Sequence, residues 1–296
     1  MVLNMKRAEL STVARLLITC PDREGIIATV TTFLKDHGAN ITDLDQHSTD
    51  AEGGTFFMRL EFQTPHLDVS SKKLEQAFAT DVGTPFHMDW QMHYAANLRR
   101  MAVFVSKYDH AFLEVLWRWS RFELPMTIPF IVSNHPDLAS AAKHFNIPYH
   151  HIPVTKDNKA QAEAQILSLC KDNVDGIILA RYMQILSEDF IEHYPNKIIN
   201  IHHSFLPAFI GANPYQQAYD KGVKLIGATA HYVTTELDMG PIIAQDVARA
   251  SHRLSVDKLR ELGQNIERTV LARAIKAHVE DRIIVNGNKT IVFDLE

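Results

Sequence analysis

Three polar side chains of the kinds used in acyl transfer lie in the stretch from Ile198 to Asp246. Asn200 and His202 end an apolar run that predicts a strand, and Asp238 precedes a loop at Gly240-Pro241. Residues two apart on a strand point to the same side. An amide and an imidazolium held there can stabilise an oxyanion. A nearby carboxylate favours the imidazolium through its charge and can accept a proton from a nucleophile.

Each of these residues also has an ordinary structural explanation. Asparagine at a strand end and aspartate beside glycine are common turn and cap residues. Only the combination of amide, imidazole and carboxylate favours chemistry, and it predicts an acyl-transfer site rather than a binding module.

The second part of the chain alternates strands with helices. This order predicts a Rossmann-like, mostly parallel sheet covered on both faces, with ligands beyond the carboxyl ends of its strands. A long helix is predicted near Val256–Val279, and a hairpin around Asn286-Gly287. The predicted strands are Met101–Ser106, Thr127–Ser133, Tyr149–Ile152, Asp175–Ala180, Ile198–Ile201, Gly227–Thr234 and Pro241–Val247.

The first part of the chain has a different pattern. Its apolar periodicity predicts a strand, a helix, two strands, a helix and a last strand, which is the βαββαβ order of a ferredoxin-like fold. Arg99-Arg100 marks the change of pattern. We therefore predict one domain over residues 1–95 and a second over residues 96–296.

The composition narrows the function classes. A net charge of −5 without a basic block predicts no nucleic-acid partner. The apolar run from Val13 to Cys20 is too short to cross a bilayer, and no signal peptide precedes it. The two cysteines, Cys20 and Cys170, are far apart and suit a reducing compartment. These features predict a protein of the cytoplasm with no membrane partner.

Two motifs in the second part resemble those of a known family. Asn200 to Pro207 (N-I-H-H-S-F-L-P), with Leu237 to Ile243 (L-D-M-G-P-I-I), resembles the formyltransferase family that uses 10-formyltetrahydrofolate. The resemblance covers about residues 100–285. It implies that Asn200, His202 and Asp238 are catalytic and that 10-formyltetrahydrofolate is the formyl donor.

The same resemblance implies a folate site on the segment from Leu179 to Leu186. The matching segment in the family holds the pterin ring, and here it leaves the carboxyl end of a predicted strand. Ordinary core packing is the alternative for Met183, Ile185 and Leu186. The implied folate-binding residues are Arg181, Met183, Gln184, Ile185, Leu186 and Leu237.

The acceptor of the formyl group is predicted from a segment in which this sequence departs from the pattern of the family. Family members that formylate a phosphorylated amine carry a glycine-rich phosphate loop after the first strand. Here Val105 to His110 has no glycine, and Asp109 would repel an anion. Water is then the available nucleophile, so we expect hydrolysis to formate and tetrahydrofolate, without a cofactor, supplying formate and balancing one-carbon pools for purine synthesis.

Alternatives to hydrolysis are transfer to an amine and a non-catalytic folate or amino-acid sensor. A dinucleotide oxidoreductase is excluded because no G-x-G-x-x-G follows the first strand. His202 and His203 are predicted to point apart on an extended strand, so no metal is expected. His231 is expected to be structural, with lining of the site as its alternative.

The first part of the chain resembles the ACT domain family. The resemblance lies in Asp22 to Ile26 (D-R-E-G-I) and His37 to Ile41 (H-G-A-N-I), and covers about residues 13–93. ACT domains pair edge to edge and often bind amino acids at the shared interface. A homo-oligomer with an amino-acid effector near Asn40 is therefore implied. A plain turn role for Asn40 and a purely oligomerising domain are the alternatives.

Overall fold

A computed structural model describes residues 8–50, 52–207 and 214–293. The chain divides into two compact units. The first unit comprises residues 1–98, 280–284 and 291–296, and the second comprises residues 99–279 and 285–290. The end of the chain thus contributes residues to both units. The predicted division at residues 95 and 96 assigned this end to the second domain alone.

The first unit has the predicted βαββαβ order. Its strands are β1 (Val13–Pro21), β2 (Asn40–Ser48), β3 (Thr55–Gln63) and β4 (Asp89–Tyr94), and its helices are α1 (Ile26–Asp36) and α2 (Ser71–Phe78). The sheet is antiparallel in the order β2-β3-β1-β4. Alternating apolar residues of β1 and β3 pack against both helices, as their periodicity predicts. A π-helical turn, Ala79–Gly83, follows α2 and was not predicted.

A cluster of charged side chains lies on the first unit's sheet. Arg59 is buried, and its guanidinium lies 2.8 Å from the Asp43 carboxylate and 3.1 Å from that of Glu61. Arg15 also contacts Glu61, at 3.0 Å, and the Arg59 Nε donates to the carbonyl oxygen of Asp281. Burial lowers the pKa of Arg59, while hydrogen bonds from the two arginines outweigh burial and lower the pKa of Glu61.

The second unit is built on the predicted mostly parallel sheet. The sheet order is β12-β11-β10-β9-β5-β7-β8, with β6 paired to β5. Strands β5 to β10 pair with one another in parallel, and β11 pairs antiparallel with both β10 and β12. The strands are β5 (Arg99–Val105), β6 (Met126–Thr127), β7 (Ile131–Ser133), β8 (Tyr149–His151), β9 (Gly176–Ala180), β10 (Ile198–His202), β11 (Leu225–Tyr232) and β12 (Ile242–Arg249).

Helices accompany this sheet and position the site. The longest, α8, spans Val256–Val279 as predicted and contacts β10, β11 and β12. The shorter α7 at Pro214–Asp220 was not predicted, and it follows residues that lie outside those described. The other helices are α3 (His110–Ser120), α4 (Ala139–His144), α5 (Lys159–Cys170) and α6 (Glu188–Glu192), and the hairpin strands are β13 (Ile283–Asn286) and β14 (Lys289–Val292).

The described residues include no helix with the length and apolar character that crossing a membrane needs.

Candidate active site

A cavity of about 840 Å³ opens in the second unit at the carboxyl ends of the parallel strands β9 and β10. This is the location predicted for a ligand on such a sheet. Asn200, His202 and Asp238 all line the cavity, as do all the residues implied to bind folate. The sequence therefore predicted the residues that meet here, although the chain separates them.

Asp238 is held between two imidazoles. Its Oδ2 lies 3.2 Å from Nδ1 of His202, and its Oδ1 lies 3.6 Å from Nε2 of His231. Burial opposes ionisation of the carboxyl, but the hydrogen bond from His202 and the nearby His231 ring outweigh it and hold the Asp238 pKa well below its usual range. The carboxylate is therefore ionised and fixes the orientation of His202.

His202 presents one nitrogen to the cavity. With Nδ1 directed at Asp238, Nε2 is buried and has no hydrogen-bond partner within the described parts of the chain. An unpartnered buried polar atom is costly unless a ligand satisfies it. Nε2 of His202 is thus available to an oxygen of a bound substrate.

His231 joins the site, where a structural role was the first expectation and lining of the site the alternative. Its Nδ1 lies 2.9 Å from the carbonyl oxygen of Tyr232, so Nδ1 carries the proton, and Nε2 of the neutral ring accepts from the Asn200 amide at 3.2 Å. One amide hydrogen of Asn200 is then engaged, and the other is free to serve a substrate oxygen. Strand pairing places Asn200 directly opposite His231, which the sequence did not reveal.

The backbone around Asp238 is tightly shaped. Asp238 adopts a left-handed conformation with φ of 57°, which aspartate tolerates better than most residues. Gly240 follows closely, and a Cβ atom there would overlap the carbonyl oxygen of Tyr232. Glycine at position 240 therefore lets the loop approach β11 and bring the Asp238 carboxylate to the histidines.

The folate segment is anchored at both the backbone and the core. The Met183 backbone N–H donates to Oγ of Ser106 at 3.0 Å, and that hydroxyl donates to Asn134 at 2.6 Å. Met183 and Ile185 expose 52% and 62% of their surface at the cavity, so core packing does not account for them. Leu186, by contrast, is buried in the core cluster of this unit, although it also touches the cavity.

Apolar side chains thus stand exposed on two sides of the opening. Leu237, on the loop that carries Asp238, is 58% exposed and lines the same cavity as Met183 and Ile185. Exposed apolar groups around a cavity suit a flat, largely apolar ligand.

A buried glutamate on α8 closes one wall of the cavity, and sequence reasoning missed it. Glu267 accepts a hydrogen bond from Nε2 of His110 and another from the Tyr215 hydroxyl, each at 2.9 Å. Nε of Arg181 lies 3.5 Å from the same carboxylate. Burial opposes its ionisation, but His110 and Arg181 outweigh it and lower the Glu267 pKa. One carboxylate therefore ties α3, α7 and the folate segment to α8.

His203 corrects a prediction. It was expected to point away from His202, but β10 ends at His202, so the alternation of an extended strand does not continue. The two rings lie 5.0 Å apart between centroids and both line the cavity. Among the described residues, no cluster of histidine, cysteine or carboxylate side chains could hold a metal ion. The expectation of no metal stays a prediction.

Asn40 lies elsewhere, at the exposed start of β2 in the first unit, opposite Gln63 of β3. Its side chain is open to solvent there. Neither a ligand-binding role nor a plain turn role is decided by this position.

Comparison with known proteins defines the class of each unit. Residues 99–275 match the family model described as formyl transferase, and residues 14–79 match the ACT domain model. The second unit thus has the formyl transferase fold, and the first an ACT domain.

Relatives of known name span nearly the whole chain. The formyltetrahydrofolate deformylase of Bacillus subtilis is 51% identical over 281 residues, covering 95% of this chain and 93% of its own. A crystal structure of a formyltetrahydrofolate deformylase from Pseudomonas syringae matches with a TM-score of 0.92 and 44% identity, over 99% of this chain and 100% of that one. The corresponding structure from Burkholderia mallei matches with a TM-score of 0.89 and 42% identity, over 96% and 100%. The chain belongs to the formyltetrahydrofolate deformylase family.

Proposed function

We propose that this chain hydrolyses 10-formyltetrahydrofolate to formate and tetrahydrofolate, with Asn200, His202 and Asp238 as its catalytic residues. The observation that carries the proposal is the convergence of these three groups in one cavity, with Nε2 of His202 buried and unpartnered among the described residues. The names of the relatives support the reaction. No cofactor is needed, because amide hydrolysis involves only water and proton transfers.

The substrate would lie with its pterin against the exposed apolar groups of Met183, Ile185 and Leu237. Backbone groups of the segment from Arg181 to Leu186 would hold the edge of the ring, with Gln184 beside it. This places the formyl group toward the polar end of the cavity, where Asn200 and His202 stand.

The free amide hydrogen of Asn200 and Nε2–H of the His202 imidazolium would bind the formyl oxygen as it gains negative charge. Donors that are fixed before the reaction stabilise such an oxyanion without reorganisation. The ionised Asp238 favours the imidazolium through its charge and orients the attacking water. Collapse of the tetrahedral intermediate then breaks the bond from carbon to N10, which takes up a proton.

The cavity supports water as acceptor over a phosphorylated amine. The segment that follows β5 has no glycine loop, and its Tyr108 and His110 instead line the cavity. His110 is bound to Glu267, and the Arg181 guanidinium lies 5.1 Å from the centre of the Tyr108 ring.

Formate release from 10-formyltetrahydrofolate in buffer without an amine tests the proposal. The unaltered protein should turn over, and Asp238→Asn should lose on the order of 10³-fold in kcat, the scale of positioned acid–base groups. Asp157→Asn, an exposed aspartate in the same unit, is the matched control. Turnover only after an amine is added would make the protein a transferase, and folate binding without turnover would make it a sensor.

We also propose a role for the ACT unit. Its edge strands β2 and β4 each pair on one side only within the described residues, which leaves edges for a second copy of the chain. An amino acid bound near Asn40 at such an interface would regulate hydrolysis. Sedimentation velocity, and activity titrated with glycine or methionine in the full chain and in Asn40→Ala, test this role. A monomer, or equal responses in both proteins, would contradict it.

The metabolic role of the reaction follows from its products. Released formate and recovered tetrahydrofolate would supply purine synthesis and balance one-carbon pools. Cys20 and Cys170 are both buried and free, which suits the reducing cytoplasm that we propose for this enzyme.

A further inference from the structure

His203 faces the cavity beside the three catalytic groups, and the mechanism above gives it no task. Its ring lies 5.0 Å from that of His202 between centroids, with 31° between the planes. On its other side the Tyr215 ring is 6.2 Å away. His203 is therefore placed next to the imidazole that receives the oxyanion.

Hydrolysis needs a group that takes a proton from water, and the neighbouring groups are committed to other tasks. Both oxygens of Asp238 face imidazoles, at 3.2 Å and 3.6 Å, so this carboxylate is directed at the two rings. His202 donates toward both Asp238 and the substrate. Nε2 of His231 is occupied by the Asn200 amide. A separate group is required to accept the proton of the attacking water.

The surroundings of His203 keep it neutral. Burial is the largest influence, and together with the positive charges of Arg181 and His202 it lowers the pKa of His203 to about 4. A neutral imidazole retains a lone pair that can accept a proton. The charged and titratable groups that face it are Arg181 after β9, His202 on β10, Tyr215 on α7, Asp238 after β11 and Glu267 on α8.

Once His203 gains a proton, two carboxylates stand near to balance the charge. Glu267 and Asp238 both act to raise its pKa, against the stronger effects that lower it. Glu267 also holds two of its neighbours, the Tyr215 hydroxyl at 2.9 Å and Arg181 at 3.5 Å. The side chains around His203 are thus held in place by their contacts with Glu267.

We propose that His203 is the general base that removes a proton from the attacking water, an inference that rests on the proposed hydrolysis. One O–H bond of water breaks, its proton passes to an imidazole nitrogen of His203, and the oxygen bonds to the formyl carbon. The carbonyl electron pair moves to the oxyanion held by Asn200 and His202. When the carbon–N10 bond breaks, N10 receives that proton from His203, and the second water proton leaves with formic acid.

A change of nucleophile separates this role from a structural one. Hydroxylamine is a neutral nucleophile that adds to a formyl group without prior loss of a proton, giving formohydroxamic acid and tetrahydrofolate. In His203→Asn, hydrolysis should fall on the order of 100-fold, as for loss of a positioned base, whereas the rate with hydroxylamine should stay near that of the unaltered protein. His252→Asn, an exposed histidine outside the cavity, is the matched control.

Rescue gives a second, independent measurement. In His203→Ala, added imidazoles of increasing pKa should restore hydrolysis, with rates that rise with the pKa of the base. Thermal denaturation of both variants, and of His203→Gln, checks that the fold is kept. A folded variant that retains full hydrolysis overturns the proposal, as does an equal loss with water and with hydroxylamine. Failure of the unaltered protein to release formate would instead overturn the proposed function itself.

Discussion

Each unit of this protein holds a carboxylate beside nitrogen-bearing side chains, but these side chains differ in kind. In the first unit, Glu61 is held by the guanidinium groups of Arg15 and Arg59. In the second, Asp238 is held by the imidazoles of His202 and His231. Guanidinium keeps its proton at any pH that a protein meets, while imidazole exchanges one near neutrality.

The same electrostatic arrangement therefore serves two purposes. Both carboxyls have a lowered pKa because hydrogen bonds outweigh burial. Around Glu61 every partner is permanently charged, so the cluster can only hold the sheet together. Around Asp238 the partners can gain and lose protons beside a cavity, so the cluster can do chemistry. The identity of the nitrogen-bearing side chains, rather than the carboxylate, decides between stability and catalysis.

The largest expected effect is on catalysis, from removal of an imidazole. His202→Asn leaves the formyl oxygen without its charged donor, so kcat for formate release should fall on the order of 10²- to 10³-fold, as for loss of an oxyanion donor. The midpoint of denaturation should change little, because the ring is at the cavity surface. A loss of stability comparable to that of the arginine variant below would break the comparison.

Removal of a guanidinium from the first unit should lower stability and leave kcat unchanged. Arg59→Met removes the buried cation that Asp43 and Glu61 share and leaves Glu61 with Arg15 alone, which should cost about 2–3 kcal/mol of unfolding free energy. The kcat of the molecules that remain folded should be unchanged, since Arg59 does not line the cavity. Urea denaturation and activity measured on the same samples give both numbers. Lys258→Met, an exposed cation, is the control and should be nearly neutral.

The pH dependence of stability sharpens the same contrast. A carboxyl with a lowered folded pKa stabilises the protein above its unfolded pKa and loses that contribution as the pH falls through the folded value. Glu61 should therefore begin to cost stability below about 4.5, its ordinary value. The slope is about 1.4 kcal/mol per pH unit for one proton. In Arg59→Met this slope should be shallower, and an unchanged slope would remove Glu61 from the acid response.

The pH dependence of catalysis should follow different groups. If His203 takes the proton of water, kcat should fall on the acid side with an apparent pKa near 4, because the protonated ring accepts nothing. The measurement is formate release under saturating substrate across the acid range in which the protein stays folded. In His203→Asn this acid limb should be lost from the residual rate.

The sequence was informative where a pattern is local. Apolar patterns predicted the order of the strands, the parallel sheet and the full length of α8, although the predicted strand Thr127–Ser133 is divided into β6 and β7. Spacing predicted that Asn200 and His202 would share a side. The contacts of Glu267 were not predictable in this way. It lies on the buried face of a helix, and its partner His110 is 157 residues away in the sequence.

Two other residues of the site, His203 and His231, were also not fully predicted. The alternation rule failed at His203 because the strand ends one residue earlier. His231 was underestimated because a histidine within a strand gives no sign of its cross-strand partner, which here is Asn200. Pairing of distant strands, rather than any residue type, completes this site.

The smallest effect is expected from a substitution at Gly263 of α8, where the helix packs closely against Tyr215 in the wall of the cavity. Alanine normally stabilises a helix relative to glycine, by about 1 kcal/mol. Here a Cβ atom would overlap both the hydroxyl and the ring carbons of Tyr215, which reaches past Gly263 to bind Glu267. Gly263→Ala should therefore destabilise the protein by about 1–3 kcal/mol, as overpacking does, and lower kcat by a modest factor. Adding Tyr215→Ala removes the overlapping ring and hydroxyl, so the double variant should recover the part of the loss that this clash causes. Recovery measured by a double-mutant cycle would locate the strain at this contact, and strictly additive losses would show that α8 relieves it elsewhere.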